Sequence, residues 1–155
     1  MDNLNIRQAS LSDLDTLLTF QQGVVNAERP FDSTIKPGNI IYYDIAELIN
    51  SADTGIFVAE LEGEVIGCGY AQIRNAKVYL KHNQYIHLGF MYVLPDYRGQ
   101  GVNSKIIDAL GQWSLDRGIT EIRLEVYAEN ASALKAYEKA GFSPHMLEMR
   151  MELKA

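Results

Sequence analysis

The stretch 90–103, FMYVLPDYRGQGVN, runs from an apolar strand through a proline-anchored turn into a glycine-bearing helix start. Backbone N–H groups at a helix N-terminus are unpaired and carry the positive end of the helix dipole, so they bind anions without side-chain charge. Gly99 and Gly101 allow a ligand to approach that backbone closely. Arg98 adds a guanidinium fork. The segment is built to hold a pyrophosphate, which points to a nucleotide- or coenzyme-binding domain.

Gly99-Gln-Gly101-Val-Asn-Ser104 approximates a dinucleotide fingerprint, with Glu125 about 20 residues on where a ribose-binding acid would stand. The context is wrong for it. Leu94 to Arg98 intervene between the strand and the first glycine, and too little chain follows Asn103 to complete a doubly wound sheet.

Arg98-Gly99-Gln100-Gly101-Val102-Asn103 instead resembles the Arg/Gln-x-x-Gly-x-Gly/Ala pattern of the GNAT superfamily of acyl-CoA-dependent N-acyltransferases. Asn103 departs from the pattern, and the tolerance of Asn for unusual backbone angles is expected to let the turn survive. A second block follows at family spacing: Leu124-Glu125-Val126, then Asn130-Ala-Ser-Ala133, then Tyr137 leading to Gly141-Phe142. The resemblance covers about the last 100 residues; the first 50 match only in layout. The second half is also similar to ribosomal-protein N-terminal alanine acetyltransferases.

The composition fits one domain spanning 1–155, with 47% hydrophobic residues and enough chain for a single core. A net charge of −6, from 20 acidic and 14 basic residues, argues against a nucleic-acid partner. No apolar run reaches membrane-span length and the N-terminus lacks a targeting pattern, so a cytoplasmic location with no membrane partner is the expectation. The lone Cys68 excludes an intramolecular disulfide and reads as an inert buried thiol.

Residues 3–9 read as a strand, followed by a helix capped at Ser10 or Ser12 with Leu11, Leu14, Leu17 and Leu18 as a core stripe. Residues 23–39 read as a weak helix end and a loop. Asp44 to Glu47 opens a short helix through about Asn50. Strands 55–61 and 64–74 meet at Glu62-Gly63, a hairpin signal, and a third long strand covers 84–93. A helix over 101–117 carries Val102, Ile106, Leu110 and Trp113 on one face and ends at Gly118. A strand over 119–127, a helix from Asn130 to Gly141 and a last strand over 146–153 complete the chain. The strand–helix–strand step between Val93 and Ile119 implies one parallel, right-handed crossover in a mainly antiparallel sheet. The class is α+β, a mixed α/β layer. The resemblance implies that the two parallel central strands splay apart and admit the pantetheine arm of the coenzyme.

By the same resemblance, acetyl-CoA is the co-substrate. The backbone of Met91, Tyr92 and Val93 would pair with pantetheine as a partner strand does. The amides of Gly99, Gln100, Gly101, Val102, Asn103 and Ser104 would take the pyrophosphate, with Arg98 and Lys105 assisting. Tyr137 matches the family's usual acid for the departing thiolate, and Asn130 the position that contacts the coenzyme nearby. Asn130 also reads as a helix N-cap and Tyr137 as a packed aromatic. Glu125 stands twelve residues before Tyr137, the separation of base and acid in the alanine acetyltransferases. A salt-bridged structural Glu125 is the alternative, and water passing protons to bulk would require no base.

Glu28 and Asp32 flank Pro30 in the segment where the superfamily builds acceptor pockets, and Tyr42, Tyr43 and Asp44 follow. An anionic, aromatic pocket of Glu28, Asp32 and Tyr43 suits a primary amine, through ion pairing and cation–π contact. His82, His87 and His145 lack metal-ligand spacing, so no metal is expected. The expected reaction is direct acetyl transfer in a ternary complex to a small amine or a peptide N-terminus, because no Cys–His or Ser–His pair is evident for an acyl-enzyme. A non-catalytic acyl-CoA sensor or assembly subunit would keep residues 98–104 without needing Tyr137. A homodimer, through a sheet edge or the final strand, is an expectation by analogy.

Overall fold

The alternating runs around Glu62-Gly63 form the antiparallel hairpin at the heart of the computed structural model, which describes residues 2–155. Glu62 and Gly63 have φ of 50° and 86°, the left-handed backbone that lets a two-residue turn follow the strand twist. The strands are β1 (Leu4–Gln8), β2 (Thr54–Leu61), β3 (Glu64–Asn75), β4 (Gln84–Val93) and β5 (Ile122–Arg123), and they lie in chain order across one sheet. Every neighbouring pair is antiparallel except β4–β5, which is parallel. The helices are α1 (Leu14–Glu28), α2 (Ile45–Asn50), α3 (Val102–Leu115) and α4 (Ala131–Ala140). The chain divides into two units, Met1–Glu125, which holds the whole sheet, and Val126–Ala155, which holds α4.

The two faces of the sheet are filled differently. Leu17 and Phe20 of α1 and Ile45 of α2 pack with Ile56, Val58, Cys68, Tyr70 and Phe90 in one apolar cluster. On the other face, α3 buries Val102, Ile106, Leu110 and Trp113, the stripe expected from the 3.6-residue period. That helix sits close because the strands beneath it carry glycines. A Cβ on Gly55 would lie 2.6 Å from the Trp113 indole nitrogen, and one on Gly69 would lie 3.0 Å from Ile106.

Several expectations are corrected. α1 does not weaken at Gly23 but runs to Glu28, followed by a single 3-10 turn over Arg29–Phe31. Gly23 is there for packing, since a Cβ would lie 2.6 Å from the Tyr92 ring. Of the expected leucine stripe, Leu17 is buried while Leu11, which stands in a 3-10 turn ahead of the helix, and Leu18 are exposed; the buried face of α1 is carried by Leu17, Phe20, Gln21 and Val25. The strand expected over 119–127 shrinks to Ile122–Arg123, and the one expected over 146–153 is not a strand. Alternation specifies a face, whereas a ladder also requires a neighbour. In the smaller unit no strand is present among the described residues, and Met146, Leu147, Met149, Met151 and Leu153 are exposed.

Arg7 ties β1 to the turn before α1 and to β2. Its guanidinium donates to both Asp13 carboxylate oxygens at 2.8 and 2.9 Å and to Glu60 at 2.6 Å. The Arg7 guanidinium holds the Asp13 carboxyl below its ordinary value of 3.8, against the opposing effect of burial. A depressed carboxyl stabilises the fold above its unfolded pKa and loses that contribution as pH falls through the folded value. Asp13→Asn is therefore expected to destabilise by roughly 1–3 kcal/mol at pH 7. The difference from the parent should narrow below pH 3.8. Urea midpoints at the two pH values check this, and a pH-independent difference would overturn it.

Candidate active site

The site begins where β4 departs from regular pairing. Tyr70 pairs with Gly89 and Cys68 with Tyr92, so Phe90 and Met91 together oppose the single residue Gly69. This is a β-bulge, with Phe90 at φ 54°, a strained setting for a bulky side chain. The extra residue shifts the phase of the strand, so that Phe90 falls on the same face as Tyr70 and its partner Gly89, and Met91 on the opposite one. Phe90 joins the cluster beneath α1 and α2, and Met91 lies over Gly69 against α3. The Cys68 thiol donates to the Phe90 carbonyl at 3.3 Å, which satisfies a group that the bulge removes from the ladder. Burial pushes the Cys68 thiol well above its usual range.

On its other side β4 pairs with β5 only at Ile86 and His87, with one further bond from the Ile86 amide to the Glu121 carbonyl. From Leu88 to Val93 that edge carries no strand among the described residues. A bulge bends its strand and increases the local twist, which explains why the parallel pairing stops after two residues. The expected splay is present, and its bare edge belongs to the backbone expected to meet pantetheine, Met91 to Val93.

The turn that follows is held by its own side chains. Arg98 donates from Nε to the Val93 carbonyl at 2.8 Å and places its guanidinium 5.4 Å from the Tyr92 ring centre. It braces the strand end, a task that the reading of Arg98 as a phosphate-assisting cation did not include. Gln100 donates to the Asp96 carbonyl at 3.1 Å. Gly99 and Gly101 have φ of 75° and 84°, and a Cβ on either would have nothing within 4 Å. Gly101 is the N-cap of α3 and offers no side-chain acceptor, so the first α3 amides, Val102, Asn103 and Ser104, end the helix unpaired. Asn103 stands inside α3 with ordinary φ; the left-handed backbone falls on the two glycines, and no unusual angle is required of Asn103. Open space at both glycines, an uncapped helix end and a bare strand edge fit a long ligand with a diphosphate. Lys105 and Ser104 are exposed on the same first turn.

Next to the bulge, the aromatic rings form a continuous cluster that runs from the buried Phe90 and Tyr70 to the half-buried Tyr43 and His87. Tyr43 stacks near Phe90 at 5.1 Å and meets Tyr70 edge-on at 5.5 Å. Tyr70 crosses over Gly89, where a Cβ would lie 2.5 Å from its hydroxyl, and approaches the His87 ring at 6.1 Å. Burial raises the Tyr43 phenol, with Tyr70 and Glu28 adding to it. Burial also raises Tyr70, with the charge of Arg74 opposing the rise and Glu125 adding to it. Each phenol thus feels one carboxylate, Tyr43 that of Glu28 and Tyr70 that of Glu125. Neither carboxylate forms an ion pair among the described residues. Burial raises Glu28, while a hydrogen bond with Tyr42 lowers it and the charge of Asp32 raises it further. His87 is held down to about 4, by burial and then by Arg74, so its ring is neutral at neutral pH.

The expected acceptor residues divide. Tyr43 joins this cluster and Glu28 adjoins it through Tyr42 and Tyr43, whereas the Asp32 carboxylate accepts from the backbone and hydroxyl of Thr34 and shapes its own loop. Glu125 lies just past β5 and is exposed. Asn130 caps α4, accepting from the Ala133 amide at 3.2 Å, and Tyr137 packs edge-on against Phe142 at 5.9 Å. Sequence reasoning missed Phe90, Tyr70, His87 and Gly89. The glycines at 67, 69 and 89 were the available signal, since glycine inside a strand marks a bulge or a close approach.

Residues 22–142 match the model of the acetyltransferase (GNAT) family. An N-alpha-acetyltransferase of Sulfurisphaera tokodaii is 26% identical over 145 residues, covering 88% of this chain and 78% of the relative. An aminoglycoside N(6')-acetyltransferase type 1 of Salmonella typhimurium is 28% identical over 100 residues, covering 64% of this chain and 69% of the relative. An aminoglycoside N-acetyltransferase solved in complex with CoA superposes with a TM-score of 0.75, over 97% of this chain and 100% of that one. At 21% identity that likeness shows the shared fold.

Proposed function

Because this chain belongs to the GNAT acetyltransferase family and is an acetyl-CoA-dependent N-acetyltransferase, we propose that it acetylates a primary amine held as its ammonium beside Glu28, by direct attack within a ternary complex. The observation that carries this reading is the half-buried Glu28 carboxylate, hydrogen-bonded to Tyr42 and without a cation of its own among the described residues. A buried carboxylate is stabilised by a counter-ion, and the acceptor supplies one. Tyr42 and Tyr43 offer aromatic faces to the same cation. The names of the relatives support both an α-amine and an aminoglycoside amine as acceptor class.

Acetyl-CoA lies along the bare β4 edge with its diphosphate on the amides of residues 99–104. The amine loses its proton to Glu125, directly or through water. Its lone pair forms the N–C bond as the C–S bond breaks, the departing thiolate takes a proton from Tyr137, and the second proton of the acylated nitrogen passes to the Tyr137 phenolate, directly or through water, which leaves the neutral amide, the CoA thiol and a restored phenol. The same proton count holds with water as the base. Cys68 is unsuited to carry an acyl group, since its thiol is fully buried and strongly disfavoured as a thiolate.

Release of CoA across a panel of N-terminal peptides, lysine peptides, amino acids, polyamines and aminoglycosides tests the acceptor. A parent protein that turns over none of them overturns the reading. On the best amine, Glu125→Gln is expected to lower kcat/KM about tenfold or more at neutral pH and to recover part of it at higher pH, where free amine accumulates. A pH–rate profile parallel to that of the parent and of equal height would remove Glu125 as base.

A further inference from the structure

We infer that Gln21 is the positioning residue that sets the acceptor wall, and so governs amine affinity from beneath the site; this rests on the reading of Glu28 and Tyr42 as the acceptor's partners. Gln21 is 1% exposed on the inner side of α1, where an apolar residue would ordinarily stand. Its side-chain oxygen accepts from the backbone amides of Tyr42 at 2.9 Å and Tyr43 at 2.8 Å. One atom therefore fixes the backbone of both wall aromatics.

The surrounding bonds show that the loop 32–44 is held in one shape from α1. Gln22 donates to the Ile40 carbonyl at 2.8 Å and accepts from the Ile40 amide at 3.4 Å. Arg29 donates to the carbonyls of Lys36 at 2.7 Å and Gly38 at 2.6 Å. Such a loop has no ladder of its own, so its backbone groups take side-chain partners. Gln21 differs from the other two in where it acts. Gln22 and Arg29 hold the outer loop, whereas Gln21 holds the two residues whose rings meet Glu28 and the bulge. Glu28 is two helical turns along the same face of α1, so Gln21 sets the spacing between the wall and the carboxylate.

The test compares Gln21→Met, which keeps the length and loses the acceptor, with Gln21→Glu, which keeps an accepting oxygen. The substrates are acetyl-CoA and the best amine of the panel. Gln21→Met removes the hydrogen bonds to both the Tyr42 and Tyr43 amides and is expected to raise the amine KM about tenfold or more, and to leave the acetyl-CoA KM within about twofold. Gln21→Glu should restore most of the amine KM. An unchanged amine KM in Gln21→Met, or both KM values rising together with a falling Tm, would overturn the assignment. Should Gln21→Met not fold, hydrogen exchange on the parent decides: slow exchange at the Tyr42 and Tyr43 amides, slowed further by the amine alone, supports the pinned wall, and exchange at open-loop rates overturns it. A parent inactive on every amine sinks the acceptor reading instead, and the exchange of those two amides still decides whether Gln21 pins the loop.

Discussion

Tyr137→Phe is expected to lower kcat by about 100-fold, the usual range for a lost acid–base group, with little change in acetyl-CoA affinity. The substitution keeps the ring through which this residue packs on Phe142. Tyr137 meets Phe142 edge-on at 5.9 Å, and Phe142 is held by a bond from its own amide to the Tyr137 carbonyl at 3.0 Å. Both features survive in phenylalanine. The variant should therefore melt within a few degrees of the parent, which separates a chemical effect from a structural one. The defect should also shrink with acyl donors whose leaving thiol is more acidic, since a better leaving group requires less protonation. Unchanged turnover, with single-turnover kinetics showing that chemistry limits the rate, would remove Tyr137 as the acid.

Gly101→Ile is expected to weaken acetyl-CoA binding by about 100-fold, the equivalent of losing one or two charge-assisted hydrogen bonds to the diphosphate. Two effects act at this position. The φ of 84° is strained for any side chain, and β-branched isoleucine tolerates it least, at a stability loss of roughly 1–2 kcal/mol. The space around a Cβ is open, so no protein atom resists the new side chain; the phosphate approach is what it blocks. Gly118→Ile separates the two, because Gly118 has φ 73°, is equally open, and lies at the far end of α3. Calorimetry should show the binding loss only at 101, and comparable Tm losses at both positions. Tight binding by a folded Gly101→Ile protein would mean that residues 99–104 are not the pyrophosphate loop.

The backbone features of the proposed coenzyme half were legible in the chain. A glycine that must adopt positive φ, a helix without a side-chain cap and a hairpin dipeptide are local matters, and local sterics decide them. Gly99, Gly101, Glu62-Gly63, the Asp44 and Asn130 caps and the Gly141 terminator all stand where the residues implied. The acceptor half was legible only as composition. Glu28, Asp32, Tyr42 and Tyr43 were visible as acids and aromatics, yet nothing in their spacing distinguished Glu28, beside the aromatic wall, from Asp32, which closes a turn on Thr34.

Periodicity and turn chemistry by themselves determined the antiparallel hairpin and the buried face of α3, because each depends on residues within a few positions of one another, and the parallel crossover followed from the succession strand, helix, strand. The tertiary structure alone decided where β4 bulges, where β5 leaves it, and that 146–153 joins no ladder, since pairing depends on a neighbour that the strand's own residues do not encode. It also decided what Gly23, Gly55, Gly67, Gly69 and Gly89 are for: each makes room for a side chain from a distant part of the chain. Gln21 belongs with them. A glutamine inside an apolar helix face reads as an anomaly until the fold brings the amides of Tyr42 and Tyr43 to its oxygen, twenty-one and twenty-two residues away.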